Sequence, residues 1–240
     1  MWLVIMAALL PVVLLFLYIW RQDIRQPEPL KWLVKGLLYG VVSVVVALML
    51  ASPMAELEVF DSLSAWANAF LGAAIPEESA KLLMLWLLLR RNPYFDERLD
   101  GIVYACCIGL GFAGVENVMY LVQGAMAGNW VTTGIARAIF AVPGHFSFAI
   151  LMGYFYAKAH FGSSLKRGIN YFLAWLMPVI AHGVYDGLIM QQQVVDEWVA
   201  GVLFLVFLTG FVFLRRRSKK LIAQYQKEDA ETVPVEEVES

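Results

Sequence analysis

The chain has 240 residues, of which 60% are hydrophobic and 16% charged, with a formal net charge of -2 and a mean hydropathy of +0.67. A soluble domain of this length cannot hide so much apolar surface behind a polar shell, so composition excludes one and makes a bilayer the solvent. No basic face stands apart from the membrane flanks, which argues against nucleic acid as a partner.

Seven apolar runs are long enough to cross a hydrocarbon core, which takes about 20 helical residues. In chain order they cover residues 1–20, 33–52, 64–89, 101–122, 131–157, 169–190 and 198–214. The first has no basic n-region and ends in bulky Tyr18, Ile19 and Trp20, a poor cleavage site, so it reads as a span rather than a signal peptide. Cys106 and Cys107 are adjacent inside the fourth run; helical neighbours diverge by about 100°, so they read as packing residues, not a disulfide.

Basic residues test this topology. Arg21, Arg25, Lys31 and Lys35 lie around the first connection, and Arg90, Arg91 and Arg98 around the third. Lys158, Lys166 and Arg167 lie around the fifth, and Arg215 to Arg217, Lys219, Lys220 and Lys227 follow the last span. All fall on one side. The opposite loops carry Glu56, Glu58, Asp61, Asp196 and Glu197 and no Lys or Arg. The positive-inside rule then puts the amino terminus outside and the carboxyl terminus in the cytoplasm. The predicted fold is all-α: a polytopic transmembrane bundle of about seven spans. Residues 1–214 form the membrane-embedded domain, and 215–240 a charged cytoplasmic tail expected to be disordered. Its Glu-rich end, from Lys227 on, reads as solvated and disordered.

A few ionisable residues sit well inside the spans: Glu77, Glu78, Lys81, Glu116, Arg137, His145, His182 and Asp186. A charge at mid-bilayer costs on the order of 3 kcal/mol or more, so such residues face a cavity or one another and mark function. Glu77 and Glu78 lie near the middle of the third run, and His145 near the centre of the fifth. Glu116 and His182 lie just outward of the centres of the fourth and sixth. The spans alternate in direction, yet four helices deliver polar groups to one depth, as a site in a bundle core requires.

Spacing adds detail. Glu77 and Glu78 precede Lys81 by four and three residues, and His182 precedes Asp186 by four, so each set shares a helix face. Two adjacent carboxylates in a low dielectric cannot both ionise cheaply, which suits one to accept a proton. Pro76 either kinks its helix or starts a new one. Arg137 is a turn or two from the outer boundary, where snorkelling is the competing reading. Gly109, Gly111, Gly114, Gly183 and Gly187 read as close helix packing, which would itself draw the polar groups together.

Four segments now carry a resemblance. Pro76-Glu77-Glu78-Ser79-Ala80-Lys81 resembles the Glu-Glu-x-x-Lys motif of the PrsW family of bacterial membrane proteases. Phe112-Ala113-Gly114-Val115-Glu116-Asn117 resembles its Phe-x-x-x-Glu-Asn motif. Pro143-Gly144-His145-Phe146, followed by Gly153-Tyr154, is similar to its third region, and His182-Gly183-Val184-Tyr185-Asp186 to its final His-x-x-x-Asp region. The order matches and the likeness runs from about Ile75 to Leu188. The family is similar to the CAAX prenyl endopeptidases and bacteriocin-immunity-type membrane proteases.

The resemblance implies peptide-bond hydrolysis in the bacterial cytoplasmic membrane. It implies a membrane-protein substrate, an anti-sigma factor receiving its first (site-1) cut on the extracytoplasmic side. Glu77, Glu78, Glu116, His145 and His182 are the expected catalytic residues, supported by Lys81, Asn117, Arg137 and Asp186. Glu77 or Glu78 would activate water. Glu116, His145 and His182 satisfy the ligand chemistry of a zinc site with one open position. No His-Glu-x-x-His motif is present, and a metal-free glutamate mechanism is equally consistent. The competing readings are a proton-coupled transporter or channel, since buried Glu, His and Lys also form relays, and a non-catalytic scaffold or sensor.

Overall fold

A computed structural model describes residues 1–23, 26–55 and 64–232. Arg25, Glu56, Glu58, Asp61 and the last residues of the tail lie outside the described residues, and so does their part in the charge pattern.

The described residues contain no strand. In a bilayer every backbone polar group must be satisfied within its own segment, and apolar runs of this length do so as helices. They are α1 (Trp2–Trp20), α2 (Leu30–Ala55), α3 (Ala65–Ala67), α4 (Ile75–Leu89), α5 (Arg98–Met126), α6 (Trp130–Ala136), α7 (Val142–His160), α8 (Arg167–Gln192) and α9 (Glu197–Thr232). Among them, six segments are long and apolar enough to cross a membrane. The third expected span, residues 64–89, is the one left out: it is helical from Ala65 onward but carries Glu77, Glu78 and Lys81 at its middle. Outward faces of α1, α2 and α9 expose Leu10, Leu14, Val42, Leu48, Leu205 and Phe213, as lipid contact requires.

Helix α5 is the axis of the bundle. It is buried almost from Leu99 to Gly114 and packs on α2, α7 and α1. Small residues set those distances. A Cβ added at Gly40 would lie 2.1 Å from the Ile108 carbonyl oxygen, and one at Gly111 2.1 Å from that of Leu37. On the other side, a Cβ at Gly153 would lie 2.3 Å from the Gly101 carbonyl oxygen. Backbones touch at both crossings, so α2 and α7 are pinned to α5 and cannot slide.

Residues 215–232 differ from the expectation of a disordered tail. They continue α9 as helix to Thr232, and Leu221, Ile222 and Tyr225 join the main core. The Asp229 carboxylate accepts from the backbone N–H groups of Arg98 and Leu99 at 3.1 and 2.9 Å, capping the first turn of α5. Tyr225 donates to the Tyr154 carbonyl at 2.7 Å. Composition alone reads this stretch as solvated because only one face of the helix is apolar; that face has α5 and α7 to pack on.

Candidate active site

The two helices that bring most polar groups to the centre are broken in the same way. Residues Asn68–Ala74 form a π-helical segment directly ahead of α4, and Arg137–Ala141 form another directly ahead of α7. Pro76 and Pro143 follow them at the first turns. Proline has no N–H to give and its ring crowds the carbonyl four residues back. The wider turn lets Ile75 and Val142 bond five residues back instead, to Phe70 and Arg137. Glu77 and Glu78 follow the first break, and His145 the second. The first break also docks on α8: the space where Gly183 and Gly187 lack side chains is filled by the rings of Phe70 and Trp66. Those contacts carry the glutamates to His182.

Lys81 stands at the middle. Its Nζ donates to Glu78 Oε1 at 2.8 Å, to Glu77 Oε2 at 3.2 Å and to His145 Nδ1 at 3.2 Å, and lies 3.9 Å from the centre of the Phe112 ring. With Nδ1 accepting, His145 carries its proton on Nε2, which faces Glu116 Oε2 at 2.8 Å. Arg137 donates to the same Glu116 oxygen at 2.7 Å and to Asn117 Oδ1 at 2.8 Å. Asn117 in turn donates to the Ala8 carbonyl of α1 at 2.6 Å. Arg137 is therefore an internal partner of the site, not a snorkelling side chain.

His182 faces carboxylates with both nitrogens, Glu78 Oε1 2.8 Å from Nδ1 and Asp186 Oδ2 3.2 Å from Nε2. A neutral imidazole has one N–H and can satisfy only one of them; the arrangement calls for a second proton or another cation. Phe148 stacks on His182 with centroids 4.9 Å apart and closes that side to water. Glu78 is fully buried and Lys81 and His182 nearly so, whereas Glu77 is 17% exposed.

The predicted residues thus form one connected network, with a division inside it. One ligand atom from each of Glu77, Glu78, His145 and His182 lies within 4.8 Å of the others, a set able to hold a metal ion. Glu116, expected in a trio with the two histidines, stands beyond His145 and is held by Arg137. Three features fit a cation here. Oxygen and imidazole donors suit zinc. Glu78 Oε2 is buried with no hydrogen-bond partner among the described residues. Among the described residues, four carboxylates (Glu77, Glu78, Glu116 and Asp186) face two permanent cations, Lys81 and Arg137.

Phe112, read in the sequence only as the first residue of the Phe-x-x-x-Glu-Asn segment, lies one turn before Glu116 on the same face. Sequence reasoning missed other supports. Phe148 lies one turn after His145, where helical spacing was the available signal. The indole N–H of Trp175 donates to Ser79 Oγ at 2.9 Å, a link between distant helices that no spacing announces.

Fold and centre together define a multi-pass helical membrane protein with a buried carboxylate–imidazole site suited to hydrolysis. Comparison with known proteins narrows this. The model of the PrsW family intramembrane metalloproteases matches residues 28–213, and the chain belongs to that family. It is 35% identical to Protease PrsW of Geobacillus kaustophilus over 189 residues, 79% of this chain and 80% of that protein. It is 34% identical to Protease PrsW of Clostridioides difficile over 187 residues, 77% of this chain and 78% of that one. It is 31% identical to Protease PrsW of Bacillus subtilis over 221 residues, 92% of this chain and 96% of that one. No solved structure matches. Membership decides for a membrane-embedded peptidase over a proton-coupled transporter, and accords with the bacterial cytoplasmic membrane as its location.

Proposed function

We propose that the network around Lys81 hydrolyses a peptide bond in a membrane-spanning anti-sigma factor, making its first cut near the extracytoplasmic face in a stress response. The observation that carries the catalytic part is the convergence of Glu77, Glu78, His145 and His182, from three helices, on one buried set of donor atoms. The site lies at or slightly outward of mid-membrane in the orientation that the charge pattern favours, with the amino terminus outside. The substrate class rests on the family resemblance.

Glu77, the more exposed of the pair, is the general base. Its carboxylate takes a proton from the attacking water, whose oxygen bonds to the scissile carbonyl carbon. It returns that proton to the departing amide nitrogen. Glu78, His145 and His182 would hold a divalent metal, and zinc suits this donor set. When bound, zinc polarises the carbonyl and eases deprotonation of water. Asp186 fixes the His182 ring, and Arg137 holds Glu116 and Asn117 in place beside His145. Phe112 and Phe148 keep bulk water from the back of the site.

The test is cleavage of a candidate anti-sigma factor by purified protein in proteoliposomes, with metal content measured on the same preparation. Wild type should cut, and Glu77→Gln and His182→Asn should not while remaining folded. Full activity in Glu77→Gln removes the base assignment. Full activity in metal-free protein removes the metal.

A further inference from the structure

Away from the site, the bundle has a lateral groove of about 390 Å³ between α7, α8 and α9. Its walls are aliphatic and aromatic, with Phe155, Met177, Val184 and Phe211 among them. Tyr185 lines it on the side of the site, and Arg217 lines it toward the basic end of the bundle. We propose that this groove binds one acyl chain of an anionic phospholipid, whose headgroup phosphate sits at Arg217 and Lys158.

The lining favours a hydrocarbon chain. The walls are almost wholly aliphatic and aromatic, and the volume lies in the range of small-ligand sites, which an extended acyl chain suits. Gly210 keeps the groove open: it lines the wall, and a Cβ added there would meet no atom within 4 Å.

Charge selects the headgroup. Arg217 lines the groove, and Lys158 Nζ lies 5.5 Å from the ring centre of Tyr154, which also lines it. Neither cation makes an ion pair among the described residues. Arg215, Arg216, Lys219 and Lys220 add positive charge at the same level. A negative phosphate is the complementary group that a bilayer supplies at this depth. The bound chain would lie against Tyr185, whose ring meets Phe148 with centroids 5.8 Å apart, and Phe148 backs His182. The lipid thus buttresses α9 against the wall behind the site. Binding is read without any cleavage, so its failure is separable from failure of the protease mechanism.

The test uses full-length protein in nanodiscs of mixed phosphatidylglycerol and phosphatidylcholine, with retained lipid counted by native mass spectrometry. Wild type should keep one phosphatidylglycerol per chain, preferred by about tenfold. Arg217→Gln combined with Lys158→Gln should abolish that preference. Gly210→Phe should displace the lipid, and Gly210→Leu should weaken retention if the larger side chain prevents folding. Equal retention of both lipids by wild type overturns the proposal. So does unchanged retention in folded Gly210→Phe, or loss of substrate cleavage in that variant while the lipid stays, which would give the groove to the substrate.

Discussion

Two buried polar clusters sit in this bundle and solve the same problem in opposite ways. The central one mixes signs: Glu77, Glu78, Glu116 and Asp186 interleave with Lys81, Arg137 and two histidines, joined by contacts of 2.7 to 3.2 Å. The other, at the basic end of the bundle, has one sign among the described residues. Asp23, Glu28 and Asp100 are all buried and bring ligand atoms within 4.8 Å of one another. Their hydrogen-bond donors among the described residues are neutral. Tyr104 donates to Glu28, the Glu28 backbone N–H donates to Asp23 at 3.1 Å, and those of Asp96 and Glu97 donate to Asp100.

The difference follows from depth. At mid-membrane no water helps, so carboxylates persist only beside cations. Near the interface, carboxyl groups can instead keep their protons. Burial pushes Asp23 up to about 6 and Glu28 up to about 7, against the lowering effect of their hydrogen bonds. One cluster is built to hold charge, the other to hold protons at a helix junction.

Substitutions sharpen this contrast. The largest effect is expected from Glu78→Gln. Removing one of the few anions that face both Lys81 and His182 should lower cleavage by about 10²–10⁴, measured in proteoliposomes, with the fold retained. The equivalent change in the other cluster, Glu28→Gln, should leave the cleavage rate within a factor of about two, since no catalytic role is asked of it. Comparable losses in both variants would break the distinction.

Arg137→Met should come next. It takes from Asn117 its donor and from Glu116 its cation, leaving a largely buried carboxylate with only the His145 N–H, a cost of about 3 kcal/mol in thermal unfolding along with reduced cleavage. Asp229→Ala removes two N-terminal hydrogen bonds from α5 at the far end of the bundle. It should cost about 1 kcal/mol of stability and leave cleavage nearly unchanged.

The last effect is a slope in pH rather than a step in activity. Asp23 and Glu28 bind protons more tightly folded than unfolded. Their contribution to stability is full below about pH 4, falls as pH rises, and is lost above about pH 7. Melting temperature across pH 4 to 8 should show this decline, and Glu28→Gln should flatten its upper part. A melting curve that rises with pH over that window in wild type, and is unchanged by the substitution, would contradict the protonated reading.

The membrane class, the long apolar spans and the buried ionisable residues that meet at the centre were legible in sequence for one physical reason. Lipid punishes every misplaced charge, so length, apolarity and the few exceptions to it carry information residue by residue. Glu77, Glu78, Glu116, His145 and His182 stood out because they violate that rule. What the chain could not announce depends on contacts between distant segments. The order of connections around Lys81, the placing of Glu116 outside the metal-capable four, and the Asp23–Glu28–Asp100 cluster each join residues far apart in the chain. So does the packing of residues 215–232, whose half-apolar helix reads as a solvated tail until α5 and α7 cover it. A one-dimensional pattern records which groups must avoid lipid. Which of them meet is decided by backbone approach at Gly40, Gly111 and Gly153 and by the two π-helical breaks ahead of Pro76 and Pro143, which aim the side chains inward.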